Sequence, residues 1–324
     1  MCPAMLLYNL TSGMVFTGSV WVMGYCSISV RRSLLLGLFF FLALPAQAKL
    51  QVLASIKPLA LIAQEVAGDE ADVTTLLPIT ASPHDYPLKM SDHRNLRSAD
   101  LVLWIGPEME SFLTRPLSNL PAKKLITSYQ LSGLNWPEIE QDEGHHHSNH
   151  AHTDRDPHLW LDPRNAALIA QALATRLAQL QPESATLFHA NAQRFAASAH
   201  QLDQQLTQQL ALVKDVGFAV YHEGYGHFVG RYSLHQVAYV AYTPERRPGA
   251  KHLKELREVL VKEGKCLFME PHYKAQGMEE MAIALNLRIG LLDPIGDQRV
   301  SSYQQLLEQL GQSFLTCLAD RRNH

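Results

Sequence analysis

Cysteine is scarce in this 324-residue chain: four residues, two of which, Cys2 and Cys26, fall within the first 30. Neither Cys266 nor Cys317 has a C-x-x-C neighbour, which argues against a thiolate metal site. Charge is sparse as well, at 18%, and residues 1–30 contain no Asp, Glu, Lys or Arg. The formal net charge of −3 argues against a nucleic-acid partner held by counterion release. An H-E-x-x-H pair is also missing. His222 and His227 are five apart, and Gly224 and Gly226 between them weaken a helix, so Glu223 is not placed as a general base. What the chain has in quantity is histidine, 16 residues, and an apolar fraction of 47%. Its length is enough for two cores.

The uncharged start is followed by Arg31-Arg32, an apolar run from Leu34 to Leu44, and Pro45-Ala46-Gln47-Ala48. A basic pair, a short apolar run and an A-x-A ending read as a secretory signal cleaved after Ala48. The run alone is too short for a bilayer, which needs about 20 residues. Joining it to residues 14–30 as an anchor would bury both arginines. Met23 is a second possible start, because residues 23–48 already form a complete signal. Removing residues 1–48 leaves 276 residues and moves the formal charge from −3 to −5. Cys266 and Cys317 survive in an oxidising compartment, and an even pair there reads as a disulfide, with two buried thiols as the alternative. It would close a loop of about 50 residues, worth roughly 4 kcal/mol in the chain-entropy model.

Strand-like runs at Leu50–Ile56, Val73–Leu77, Asp100–Ile105 and Lys123–Thr127 alternate with helical patterns at Pro58–Ala67 and Ser91–Ser98. Near-continuous apolar strands between helices predict a parallel sheet covered on both faces. Residues 141–156 break the pattern. They carry five histidines, His145, His146, His147, His150 and His152, with four acids and no large apolar side chain, and read as a solvated loop. A helix is predicted from Asp162-Pro163 to Leu180, and a longer one from Pro182 to about residue 213. Phe188, Phe195, Leu202, Leu206, Leu210 and Val213 share one face of the longer helix. Strand candidates then recur at Gly217–Tyr221, Gln236–Ala241, Cys266–Met269 and Arg288–Leu292, with helices at Leu253–Glu263, Gln276–Leu285 and Tyr303–Leu318. The reading is α/β: two (β/α)4 lobes, residues 49–181 and 214–324, joined by the long helix 182–213.

Four residues stand out as metal-ligand candidates. His84 lies in the loop after the second strand, within Ser82-Pro83-His84-Asp85-Tyr86. His158 sits in Asp156-Pro157-His158-Leu159-Trp160, His222 follows the Gly217–Tyr221 strand, and Asp293 closes the last strand before Pro294. Ligands of open parallel sheets bind beyond the carboxyl ends of the strands. Each residue also has a bland reading: His84 as a turn residue, His158 as a packed core side chain, Asp293 as a turn former. Only their joint occurrence makes a site.

These residues and their flanks resemble the zinc-specific periplasmic solute-binding proteins of ABC importers, the ZnuA type. The resemblance covers nearly all of the mature chain. It rests on Ala81-Ser82-Pro83-His84-Asp85-Tyr86, Ile105-Gly106-Pro107-Glu108-Met109-Glu110, the acidic histidine-rich stretch and Asp156-Pro157-His158-Leu159-Trp160-Leu161-Asp162-Pro163. Tyr221-His222 with Tyr225-Gly226, Pro248-Gly249-Ala250, Phe268-Met269-Glu270-Pro271 and Leu292-Asp293-Pro294 complete it. It implies a metal held in the cleft between two lobes, with His84, His158 and His222 as ligands and a Cys266–Cys317 disulfide. Some zinc-type members carry a carboxylate immediately before the first ligand histidine. Here that position is Pro83, so the fourth position falls to Asp293 or to water.

Imidazole ligands suit Zn2+, Cu2+ and Ni2+, and three histidines plus one carboxylate make a tetrahedral zinc set. The function expected is capture of Zn2+ in the periplasm and delivery to an ABC-type zinc permease in the inner membrane. A monomer without enzymatic activity or nucleic-acid partner is expected, with the histidine-rich stretch as a weaker, auxiliary metal site. A secreted zinc hydrolase would need an open coordination position and a base, for which Glu223 or Glu270 are the candidates. A metal-dependent surface adhesin on the same fold is the other alternative.

Overall fold

The computed structural model describes residues 48–137, 155–273 and 277–319. The expected signal up to residue 47 lies outside the described residues, as do His145, His146, His147, His150 and His152. In the first half the order is β1 (Leu50–Ala54), α1 (Lys57–Ala67), β2 (Ala71–Thr75), α2 (Met90–Ser98), β3 (Leu101–Trp104), α3 (Thr114–Leu117) and β4 (Leu125–Thr127). Two long helices follow, α4 (Pro163–Leu180) and α5 (Ala185–Leu210). The second half runs β5 (Phe218–His222), α6 (Gly226–Tyr232), β6 (Gln236–Ala241), α7 (Ala250–Glu263), β7 (Cys266–Met269), α8 (Met278–Ala284), β8 (Arg288–Leu291) and α9 (Tyr303–Leu318).

The strands form two four-stranded sheets, ordered β2-β1-β3-β4 and β6-β5-β7-β8. All pairings are parallel. The inner strands β3, β5 and β7 are buried on both faces, as their apolar runs require, while the edge strands β2 and β8 are partly exposed. In the second sheet Phe218, Val220 and Phe268 face the large core, while Ala219, Tyr221, Leu267 and Met269 face a smaller one under α7 and α8. The alternation follows directly from the period of two along a strand.

Local chemistry sets the helix ends. Asp162 caps α4 by accepting the Arg164 N–H at 2.8 Å, with Pro163 in the first turn. The long helix is shorter than expected. Pro182–Ser184 form a 3-10 turn rather than its first turn, and the α-helix spans 26 residues, about 39 Å. Phe188, Phe195, Leu202, Leu206 and Leu210 are its buried stripe.

The second strand lies two residues earlier than its apolar run suggests. β2 pairs with β1 from Leu50↔Ala71 to Ala54↔Thr75, and β1 ends there. Leu76 and Leu77 turn inward instead, their N–H groups donating to Ala54 and Ser55 carbonyls at 2.8 and 3.0 Å. Their apolarity reports core burial, not strand. Among the described residues no helix is long and apolar enough to cross a membrane. A disulfide joins Cys266 in β7 to Cys317 in α9, clamping the last helix onto the second sheet.

Strand order reverses between β1 and β3, and again between β5 and β7, and such switch points open crevices at the carboxyl ends. The first crevice holds Glu110, which is fully buried. One of its oxygens accepts the Ile105 N–H at 2.8 Å. Burial pushes its carboxyl up to about 7. The second crevice holds His222.

Candidate metal centre

His222 is the last residue of β5. The β5–β7 register pairs Val220 with Phe268, so two residues on His222 stands opposite Glu270, on the same face. Glu270 accepts a hydrogen bond from the His222 Nδ1, and both side chains are buried. His158 is positioned by its own neighbours. Asp156 Oδ1 accepts the His158 backbone N–H at 3.0 Å and meets the ring Nδ1 at 2.6 Å. The turn that follows is fastened to the second half of the chain. Trp160 Nε1 donates to the Pro294 carbonyl at 2.8 Å, and the Tyr303 hydroxyl donates to the Trp160 carbonyl at 2.7 Å. His84 comes from the loop after β2, where its backbone N–H donates to Ser82 Oγ at 3.1 Å.

These three histidines meet. One ligand atom from each of His84, His158 and His222 lies within 4.8 Å of the others. The Nε2 atoms of His158 and His222 are 3.3 Å apart, and the buried His84 Nε2 has no hydrogen-bond partner. Both carboxylates engage Nδ1, which leaves Nε2 of each ring turned to the common centre. The cavity they line has a volume of about 30 Å³, enough for an ion or a water.

Electrostatics favour a cation here. Burial pushes the His84 ring well below its ordinary value, and the His158 and His222 rings push the same way. Burial also lowers His158, more than Asp156 beside it restores. In His222 burial is outweighed by the Glu270 carboxylate, and its pKa lies above the ordinary value. Desolvation pushes the Asp156 carboxyl up, yet the His158 ring beside it holds it far below the usual range. An orphaned imidazole nitrogen facing two others, backed by two carboxylates, fits a borderline divalent ion with nitrogen preference.

Asp293 is not brought into this set. It lines the same cavity, but its Oδ1 accepts the Ile295 and Gly296 N–H groups at 3.1 and 2.8 Å, the turn-former arrangement. Glu223 is also placed elsewhere. Its Oε2 accepts from Gln236 Nε2 at 2.9 Å, and α6 begins only at Gly226, so His222 and Glu223 share no helix.

Three contributors were not evident in the sequence. By composition Asp156 belongs to the acidic stretch 141–156, although Asp156-Pro157 is a recognisable turn signal. Glu270 has no local signal, because its partner is 48 residues away. Gly224 matters by its missing side chain: a Cβ there would lie 2.2 Å from His222 Nε2 and 2.8 Å from His158 Cε1. The backbone packs directly against the two rings, and only glycine permits it.

The high-affinity zinc uptake system protein ZnuA of Yersinia pestis is 35% identical over 292 residues, covering 84% of this chain and 92% of that protein. The ZnuA protein of Haemophilus influenzae is 33% identical, covering 86% and 96%. The fold matches a solved ZnuA deletion mutant with zinc bound, with a TM-score of 0.72, 25% identity, and coverage of 85% of this chain and all of that one. Residues 52–317 match the family described as ZnuA, zinc-uptake complex component A, periplasmic. With a three-imidazole centre at the strand ends of a two-sheet α/β fold, the chain belongs to the ZnuA family of solute-binding transport proteins.

Proposed function

We propose that this protein captures Zn2+ in the periplasm and delivers it to an ABC-type zinc permease in the inner membrane. The carrying observation is the convergence of His84, His158 and His222 on a cavity sized for one ion. His84 comes from the first half of the chain and His222 from the second sheet, so a bound ion crosslinks lobes 49–181 and 214–324 across the linking segment 182–213. Binding then favours the closed arrangement by as much as the ion prefers it. The three imidazoles are the primary ligands. The fourth position goes to water or to Asp293, whose second oxygen takes no part in its turn.

A cargo protein needs a closed, saturable site and no base. Glu270, one candidate base, is committed to His222, and Glu223 to Gln236, which supports the binding reading over a hydrolase. Export with cleavage after Ala48 supplies the compartment, and intact mass of the exported protein tests it. The protein acts as a monomer, and His145, His146, His147, His150 and His152 supply auxiliary weak binding.

The test is calorimetric titration of the mature protein with zinc. One tight site per chain is expected, lost in His84→Ala, His158→Ala or His222→Ala and kept in His93→Ala, His189→Ala or His235→Ala. Equal effects across both groups sink the assignment. Free zinc at 100 times Kd should raise stability by about 2.7 kcal/mol.

A further inference from the structure

The cavity wall carries a fourth imidazole that the three-histidine centre does not use. His272 lines the cavity that holds His84, His158 and His222, and is itself exposed. It follows β7 in the run Glu270-Pro271-His272-Tyr273. Its neighbours on both sides are anchored. Glu270 holds His222, while Tyr273 stacks on Tyr221 at 5.8 Å. Between these anchors the His272 backbone takes φ 71°, a left-handed conformation uncommon for a residue with a Cβ.

The other metal-ligating side chains on this wall are engaged. Glu270 is bound to His222, and Asp293 Oδ1 accepts two backbone N–H groups. His84, His158 and His222 form the centre itself. His272 is the exposed imidazole on that wall, on a backbone fixed by its neighbours.

We propose that His272 is a capture ligand at the mouth of the cavity. An incoming hydrated divalent ion exchanges one water for the His272 imidazole. It then exchanges that imidazole for the rings of the inner centre, and His272 is released unchanged. A ligand of the path and not of the end state accelerates entry and exit equally, and leaves Kd where it was.

This inference rests on the zinc-capture reading, and stopped-flow kinetics on the mature protein, using Zn2+ and a competing chromophoric chelator, separates the two. His272→Gly removes the imidazole and suits the left-handed backbone, His272→Asn keeps polarity without a good ligand, and His272→Asp keeps a metal-binding group. His189→Ala, exposed on α5, is the control. Association and dissociation rates should both fall about fivefold or more in the Gly and Asn variants, with Kd within about twofold of the parent. The Asp variant should retain an intermediate rate, and the control the parental one. Association unchanged in His272→Gly, or a Kd weakened with association intact, overturns the proposal. A parent protein without a tight zinc site refutes the function proposed above instead.

Discussion

Gly224 lies against His222 so closely that a Cβ on it would stand 2.2 Å from the Nε2 that faces the centre. No side-chain rotation relieves that contact, because the clash begins at the first carbon. Gly224→Ala should therefore displace the His222 ring and cost zinc affinity on the order of 100-fold. Circular dichroism should show the fold retained. Affinity within a few-fold of the parent would contradict the packing described.

The two carboxylates behind the rings should matter nearly as much as the rings. Glu270→Gln and Asp156→Asn keep shape but lose the charge that fixes the Nδ1–H form and supports the ligand. Each should weaken zinc binding by about 10–100-fold in competition titrations. Asp156 and Glu270 serve different rings, so the double variant tests whether the effects add. Variants that bind like the parent would reduce these contacts to packing.

Glu110 provides a pH test away from the metal. Its folded pKa of about 7 lies above an unfolded value near 4.5. Between those values the native state holds a proton that the unfolded state has lost, so stability falls as pH rises through this window. The contribution is full below pH ~4.5 and gone above pH ~7, worth at most roughly 3 kcal/mol. Glu110→Gln should escape this loss. Denaturant unfolding of metal-free protein at pH 5 and pH 8 checks it, and a pH-independent difference between parent and variant refutes it.

The Cys266–Cys317 bond spans 51 residues. Replacing both with Ser should cost roughly 4 kcal/mol in the chain-entropy limit. The loss should appear in unfolding curves while zinc stoichiometry stays at one, because the bond ties α9 to β7 rather than holding a ligand. A lost zinc site with unchanged stability would reverse that assignment.

Deleting residues 143–154 should leave the tight site and remove additional weak binding. The stretch offers no large apolar side chain to either core, and its five histidines leave with it. Calorimetry of both forms decides between this and a primary role for the stretch.

The alternation of apolar runs with amphipathic ones specified two parallel sheets, because strands buried on both faces must be apolar throughout. The buried stripe of α5 was equally legible, since helical periodicity is a local property. The ends were less so. Pro182 reads as a helix start, yet takes a 3-10 turn, and Leu76-Leu77 reads as strand, yet turns into the core. Both are decided by what packs above them.

Residue type and position along the chain mark His84, His158 and His222, and a strand end marks His222 as well. Their meeting was not in the sequence. It depends on the β5–β7 register that sets Glu270 against His222, and on Trp160 reaching Pro294. The same packing leaves Asp293 in a turn and His272 on the wall. A sequence encodes which surfaces must be buried and with what period. Distances between residues tens of positions apart follow only once registers and helix packing are fixed.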